Sequence, residues 1–131
     1  MNKLFLLLTI LITTVRVSAQ QDSVQVKHTK TVTGTASFYS LSLNGTKTAS
    51  GERFHNDQMT AASNSFKLGT RVKVTNLRNG RTVVVRINDR MHKKMAKKGR
   101  VIDLSRAAAK KLGFIKRGLT KVRVEEISSE E

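Results

Sequence analysis

Residues 71–87 place the strongest constraint on the fold, because their pattern predicts two strands joined by a turn. Residues 71–77 alternate between polar and apolar side chains with a period of two, which is typical of a half-buried strand. Residues 82–87 are mostly β-branched, and the Asn79-Gly80 sequence between the two runs is one that hairpin turns favour. The chain is therefore expected to contain a β-hairpin, and its fold must be built around a sheet.

Further short strands and the small size of the chain predict an all-β fold. Residues 35–39 and 121–125 also have the composition or alternation of strands. The chain has 131 residues, which suits one domain, and it shows neither an internal repeat nor the pattern of a long apolar helix. We expect a single compact β-barrel over residues 33–127.

One short helix is predicted beside these strands. Residues 105–112 are rich in alanine and lysine, which favour helix formation. Asp103 or Ser105 can serve as the N-cap, and Gly113 follows the last helical residue as a C-terminal stop. The barrel is therefore expected to carry one helix.

The two ends of the chain are predicted to lie outside the barrel. Lys3 precedes an apolar run at 4–12, and small residues follow, so residues 1–19 have the pattern of a secretory signal peptide. The apolar run is much shorter than the roughly 20 residues that span a bilayer. Residues 20–32 are expected to form a flexible lead, and residues 128–131 an exposed tail.

The chain contains no cysteine. This excludes disulfides, thiolate metal sites, a cysteine nucleophile and a lipid-modified cysteine in this sequence. Together with the signal peptide, it predicts an exported protein, periplasmic or extracellular, that is not anchored by a lipid of its own. Stable insertion into a membrane is not expected.

The charge of the chain is strongly positive. The net charge is +16, and removal of a leader carrying two cations, Lys3 and Arg16, leaves +14. Such a field attracts polyanions: nucleic acid, an anionic membrane surface or the acidic polymers of a cell wall. Export argues against nucleic acid, and so do the few aromatic residues, none of which interleaves the basic run at 93–100. We expect that run to be a solvated loop.

An ordered series of short motifs resembles the RlpA-like (rare lipoprotein A) double-psi β-barrel family. The resemblance extends over residues 34–127, and the order and spacing of the motifs make it specific. The motifs are Gly34-Thr35-Ala36-Ser37-Phe38-Tyr39, Thr48-Ala49-Ser50-Gly51-Glu52-Arg53-Phe54, Thr60-Ala61-Ala62, Leu68-Gly69-Thr70, Val74-Thr75-Asn76-Leu77, Asn79-Gly80, Arg86-Ile87-Asn88-Asp89-Arg90 and Ile102-Asp103-Leu104-Ser105-Arg106-Ala107-Ala108.

The resemblance implies a fold and an activity. The fold is a six-stranded double-psi β-barrel. The activity is that of a lytic transglycosylase, which cleaves peptidoglycan glycan strands between N-acetylmuramic acid and N-acetylglucosamine and leaves 1,6-anhydro ends, without a metal or other cofactor. The same barrel occurs in expansin-like proteins that bind or loosen polysaccharide without cutting it, so a non-catalytic wall-binding module is the alternative.

The resemblance also implies which residues act. Glu52 and Asp89 match the family's functional carboxylates, in a chain where acidic residues are scarce between 34 and 124. We expect Asp89 to be the acid/base and Glu52 to bind sugar or stabilise the cationic transition state, although the two roles could be exchanged. The residues expected to contact the substrate are Tyr39, Ser63, Asn88, Arg90 and Asp103.

The chain departs from the family pattern at three places. Ser63 stands where the family usually has a histidine, Met91-His92 where it has Gly-Pro, and Lys67 where it has a proline. Loss of the histidine favours the non-catalytic alternative, whereas the intact carboxylates oppose it. His55 or His92 could substitute for it, although each is more simply an exposed surface residue. The histidines do not have the spacing of a metal site.

Overall fold

Six strands form one closed barrel in the computed structural model, which describes residues 29–128. The order of the strands around the barrel is β1-β5-β2-β4-β3-β6. The strands are β1 (Thr31–Phe38), β2 (Thr60–Ala62), β3 (Arg71–Asn76), β4 (Thr82–Asp89), β5 (Arg100–Leu104) and β6 (Thr120–Glu126). The predicted six-stranded barrel is therefore confirmed. The predicted signal peptide, residues 20–28 of the predicted lead and residues 129–131 of the predicted tail lie outside the described residues.

Two of the six strand pairs are parallel, and neither is a pair of consecutive strands. They are β1 with β5 and β2 with β4, and the remaining pairs are antiparallel. Parallel neighbours cannot be joined by a tight turn, so the chain must cross the barrel between them. These crossings bring the ends of β1, β2, β4 and β5 together.

The predicted hairpin is formed by β3 and β4, with Val74 opposite Val83 and Thr75 opposite Thr82. Its turn includes Gly80, whose φ of 76° lies in the left-handed region that glycine tolerates. Alternate residues of each strand point inward, as period-two alternation requires. Buried valines, isoleucines and leucines of the strands then meet to form one core.

The predicted helix is α2 (Arg106–Leu112), which covers the core with three buried residues. The Ser105 side chain caps its first turn by accepting a hydrogen bond from the Ala108 N–H, and Gly113 ends it with a φ of 77°. Asp103 belongs to β5, so the alternative in which it caps the helix is wrong.

One boundary differs from the sequence prediction. Thr31 and Val32, placed in the flexible lead, belong to β1 and pair with Glu125 and Val124 of β6. Their β-branched side chains suit a strand, and β6 provides the partner that periodicity alone did not reveal. The lead therefore ends before Thr31.

A second helix forms where a solvated loop was predicted. It is α1 (Lys93–Lys97), and the His92 side chain caps it by accepting a hydrogen bond from the Lys94 N–H at 3.2 Å. The lysines of α1 are exposed, whereas Met95 is half-buried. The Met95 Sδ accepts a hydrogen bond from Arg100 Nη1 at 3.3 Å. This contact joins α1 to β5, so the basic run is solvated but helical. A short 3₁₀ helix, Leu41–Leu43, also follows β1. Within residues 29–128, no helix is both long and apolar enough to cross a membrane.

Candidate functional site

Four residues on neighbouring strands form a row that holds two carboxylates. Ser37 of β1 is opposite Asp103 of β5, Asp103 is opposite Ala62 of β2, and Ala62 is opposite Asp89 of β4. Neighbouring strands lie about 4.8 Å apart, so the Cα atoms of the two aspartates are separated by roughly 10 Å. Because Ala62 has only a methyl group, the space between the two carboxyl-bearing positions is not filled by a side chain of β2. We call these four residues the aspartate row.

Asp89 is held in place by three hydrogen bonds. The Tyr39 hydroxyl donates to Oδ2 at 2.6 Å, while the backbone N–H groups of Ala49 and Arg90 each donate to Oδ1 at 2.9 Å. Asp89 is the last residue of β4, and its side chain is half-buried. The carboxyl group is therefore fixed in orientation at the end of a strand.

Tyr39 brings a proton to Asp89 from the end of β1. Its ring stacks on the buried Phe54 ring, with 4.0 Å between the ring centroids and 26° between the planes. Burial, and then the hydrogen bond to Asp89, raise the pKa of Tyr39 well above its ordinary value of about 10. The phenol therefore stays protonated and acts as a donor to Asp89 throughout the neutral range.

Glu52 is bound to Arg86 rather than to Asp89. The Arg86 guanidinium donates to both carboxylate oxygens, at 2.5 and 2.8 Å, and the Ser50 hydroxyl donates to Oε1 at 3.0 Å. These hydrogen bonds, from Arg86 first and Ser50 second, lower the pKa of Glu52. Glu52 is thus an exposed, ionised carboxylate.

The position of Arg86 separates the two predicted catalytic carboxylates. Arg86 precedes Asp89 by three residues in β4, at a position where the alternation of the strand points outward. Among the described residues no hydrogen bond joins Glu52 to Asp89. The Glu52 loop is nevertheless docked beside Asp89, because the Ser50 N–H donates to the Asn88 carbonyl at 3.1 Å. The structure places the two carboxylates in one region without contact between them.

Asp103 forms a second polar cluster at the other end of the aspartate row, with Ser37 and Arg100. Its Oδ1 accepts hydrogen bonds from the Ser37 hydroxyl and from Arg100 Nη2, the latter at 2.8 Å. Asp103 is partly exposed, with a side-chain exposure of 21%. It can therefore reach a ligand while its charge is balanced by Arg100.

Three predicted substrate contacts are buried or bound to other parts of the protein. Ser63 is fully buried, and its hydroxyl donates to the Val101 carbonyl at 2.8 Å and accepts from the Ser65 N–H at 3.1 Å. The Arg90 guanidinium donates to the carbonyl oxygens of Ser63, at 2.6 Å, and Phe66. Asn88 is also buried. In this conformation the three residues support the site, and their contact with substrate stays a prediction.

The histidines occupy other places. His92 caps α1, and His55 lines a cavity of about 550 Å³ beside α2 together with Asp57, Arg106 and Lys110. In residues 29–128 neither imidazole has a hydrogen bond to Glu52 or Asp89, and no three histidine or acidic side chains are grouped to hold a metal ion.

The sequence prediction missed the basic partners of the carboxylates. Arg86 and Arg100 bind Glu52 and Asp103, respectively, and neither was a candidate. Arg86 interrupts an otherwise apolar, β-branched strand just before Asp89. A lone cation at an outward-facing position of such a strand is the signal that could have identified it.

A family model described as "Lytic transglycolase" matches residues 31–124. The chain belongs to the lytic transglycolase family. Among its curated relatives are the probable endolytic peptidoglycan transglycosylase RlpA of Nostoc sp., 55% identical over 70% of this chain, and the endolytic peptidoglycan transglycosylase RlpA of Pasteurella multocida, 53% identical over 70%. The corresponding protein of Neisseria meningitidis is 43% identical over 74%. The resemblance found in the sequence is therefore confirmed.

The chain is similar to only part of each of these relatives. The matched region covers 24% of the Nostoc protein, 30% of the Pasteurella protein and 39% of the Neisseria protein. The family members share this barrel, while most of each longer protein lies outside the match. The similarity to these relatives is therefore limited to the barrel region of this chain.

Solved structures support the same fold. Clavibacter michiganensis expansin is 27% identical with a TM-score of 0.60, and the match covers 78% of this chain and 52% of the expansin. The Streptomyces papain inhibitor has a TM-score of 0.60 at 24% identity, over 76% of this chain and 96% of the inhibitor, and shows the fold alone. The family match and these likenesses confirm the predicted double-psi β-barrel.

Proposed function

We propose that the protein is a lytic transglycosylase that cleaves the β-1,4 bond between N-acetylmuramic acid and N-acetylglucosamine and leaves 1,6-anhydro ends. The observation that carries the proposal is Asp89, a family-matched carboxyl group fixed by three hydrogen bonds at the end of β4. The names of the curated relatives support the same reaction. The proposed place of action is the cell envelope, which the predicted signal peptide supports.

The reaction requires one group that first gives and then takes a proton. In its protonated form, the Asp89 carboxyl group gives its proton to the glycosidic oxygen, the bond from that oxygen to the anomeric carbon breaks, and positive charge builds on the sugar. The resulting carboxylate then accepts the proton of the C6 hydroxyl as its oxygen bonds to the anomeric carbon. The sugar closes on itself, so no water is consumed.

Tyr39 and Glu52 have different parts in this reaction. Tyr39 keeps its proton and donates to Asp89 Oδ2, while the Ala49 and Arg90 N–H groups occupy Oδ1, so the second lone pair of Oδ2 is the one left to exchange a proton with the substrate. Glu52 is ionised, because its pKa is lowered by Arg86 and Ser50, which suits stabilisation of a cationic transition state better than donation of a proton. Asp103 and Ser37 provide polar groups for the neighbouring sugar. These assignments favour Asp89 over Glu52 as the acid/base.

Replacement of Glu52 tests its role in charge stabilisation. Glu52→Gln keeps the shape of the side chain but removes its charge, and we expect kcat to fall by a factor on the order of 100. The matched control is Glu125→Gln, because Glu125 is also an exposed carboxylate bound to an arginine, Arg123, at 2.9 Å. If both variants keep full activity, Glu52 is only a surface partner of Arg86.

Binding to the wall is expected to depend on salt. Most of the cations are exposed, and exposed charges are screened beyond about 8 Å at physiological ionic strength. The fraction of protein retained on purified sacculi should therefore fall steadily as sodium chloride is raised toward molar concentration, as measured by co-sedimentation. Unchanged retention would mean that contacts other than the basic surface hold the protein to the wall.

A non-catalytic, expansin-like module is the second candidate. The likeness to an expansin favours it, and so does Ser63, a buried serine where a histidine was expected. Digestion of purified sacculi and of peptide-free glycan strands, followed by mass analysis of the soluble products, separates the two. Anhydro products support the transglycosylase, whereas binding without any released product supports the module.

A further inference from the structure

Two long segments of the chain contain no acidic residue. They are 58–88 and 104–124, and both contribute to the region around the β3–β4 turn and the start of β6. The exposed residues that meet there are Leu77, Arg78, Lys116, Arg117, Leu119 and Lys121. We call this set the basic leucine surface.

The two leucines lie close together on the outside of the barrel. Leu77 continues β3, and its N–H donates to the Lys121 carbonyl at 2.9 Å. Leu119 lies just before β6 and only two residues from Lys121, so at most about 7 Å of chain separates it from the residue that Leu77 contacts. Leu77 is 45% exposed and Leu119 is 48% exposed. A small apolar ridge therefore stands among cations.

A cavity of about 430 Å³ opens next to this ridge. Arg78, Lys116 and Arg117 line it, and no carboxylate is among its lining residues. In the part of the chain that the structure describes, none of these three cations has a side-chain hydrogen bond or ion pair. Their charges are therefore balanced by no carboxylate of the described barrel.

The wall of the cavity is held in a fixed shape. The side-chain amides of Asn76 and Asn79 both donate to the Leu112 carbonyl, at 2.9 and 2.8 Å, which ties the β3–β4 turn to the end of α2. Asn76 is buried, and its Oδ1 also accepts from the Thr120 hydroxyl at 2.8 Å. The backbone that carries the cations is therefore fixed before binding, which reduces the entropy lost on binding.

This region is separate from the site at Asp89. The turn precedes Thr82 at the start of β4, while Asp89 ends the same strand. At about 3.3 Å per residue, the two lie roughly 20 Å apart along β4. A partner bound to the basic leucine surface therefore leaves the aspartate row open.

We propose that the basic leucine surface docks the protein on an anionic phospholipid membrane, with lipid phosphates at the cavity and the two leucines in the headgroup layer. Two arginines and a lysine line the cavity, and guanidinium matches phosphate oxygens in geometry as well as charge. A soluble phosphate polymer would neutralise the cations but leave the leucines in water. A lipid surface satisfies both halves of the patch.

Vesicle flotation tests the charged half of the surface. The probes are phosphatidylcholine vesicles and vesicles in which a third of the lipid is phosphatidylglycerol. The neutral vesicles report any binding by the apolar residues 4–12, which needs no lipid charge. We expect Arg78→Gln/Lys116→Gln/Arg117→Gln to lose about tenfold or more of the charge-dependent binding. The matched control is Lys93→Gln/Lys94→Gln/Lys97→Gln on α1, which removes the same charge and should bind nearly as the unmodified protein does.

The leucines provide the second test. Leu77→Ser/Leu119→Ser should weaken flotation with the anionic vesicles, whereas Leu41→Ser/Leu43→Ser, which changes another pair of exposed leucines, should not. If the triple variant at the cavity and the triple variant on α1 lose equal amounts of charge-dependent binding, the proposal is overturned, because binding would then follow net charge alone. The proposal is also overturned if the Leu77→Ser/Leu119→Ser variant floats normally with anionic vesicles and soluble polyphosphate displaces the unmodified protein from them completely. That result would assign the cavity to a phosphate polymer. Absence of charge-dependent flotation in the unmodified protein would also overturn it. All readouts are of binding, so they do not depend on glycan cleavage.

Discussion

Asp89→Asn is expected to reduce the release of 1,6-anhydro sugars from glycan strands on the order of 1000-fold, because an amide can neither give nor take the proton. The fold should be retained. The amide oxygen can accept from the Ala49 and Arg90 N–H groups as Oδ1 does, and the amide nitrogen can donate to the Tyr39 hydroxyl. Mass analysis of the products gives the activity, while co-sedimentation with sacculi and thermal unfolding should be nearly unchanged.

The control for this variant is Asp57→Asn. Asp57 is exposed and lies beside the cavity at α2, so the same chemical change there should leave product release within about twofold, as surface substitutions generally do. An Asp89→Asn protein with full activity would remove Asp89 from the reaction. Loss of activity accompanied by a large fall in melting temperature would point to misfolding instead of lost catalysis.

The second large effect concerns the ionisation of Tyr39. It is the only tyrosine of the chain, so the ultraviolet absorbance of tyrosinate reports this residue alone. We expect the folded protein to show no tyrosinate signal at pH values where the unfolded protein, in denaturant, titrates near pH 10, because burial and the Asp89 hydrogen bond raise the pKa of Tyr39. Asp89→Asn should lower the pKa of Tyr39 only partly, since burial remains. A titration near pH 10 in the folded protein would contradict the buried, proton-donating tyrosine.

The same pKa shift makes stability depend on pH in a defined direction. The folded state binds the phenolic proton more tightly than the unfolded state, so this contribution to stability is complete below about pH 10. It is lost as the pH rises above that value toward the folded-state pKa of Tyr39. The difference in urea midpoint between the unmodified protein and Tyr39→Phe should therefore shrink above about pH 10. The other titrating groups are the same in both proteins, so their effects cancel in this difference. A difference that does not change with pH would contradict the linkage.

The local elements of the barrel are predictable from the sequence, but its strand pairing is not. Alternation identifies β3 and most of β6, β-branched composition identifies β4, and the caps of α2 are visible as Ser105 and Gly113. β2 has three residues, too few for any periodic pattern. Its parallel pairing with β4 and its antiparallel pairing with β5 join segments far apart in the chain. Periodicity carries no information about such partners, so the topology came from the family resemblance.

The candidate site was predictable by position but not by contact. Asp89 lies at the strand end where it was expected, and Tyr39 lies beside it. The sequence placed Glu52 with Asp89, whereas its carboxylate binds Arg86 on the outward-facing side of β4. Ser63 is small and polar, so nothing in its type reveals that it is buried. These outcomes depend on which way a side chain faces after the strands have crossed, and that is settled only by the assembled barrel.

Closure of the barrel affects the tendency of the protein to self-associate. Every strand has a hydrogen-bonded neighbour on both sides, so the six strands offer no open edge that a second chain could extend. Proteins with open sheets protect such edges with charges, prolines or bulges. The described barrel therefore needs no such protection against strand-to-strand aggregation, in a chain that contains no proline at all.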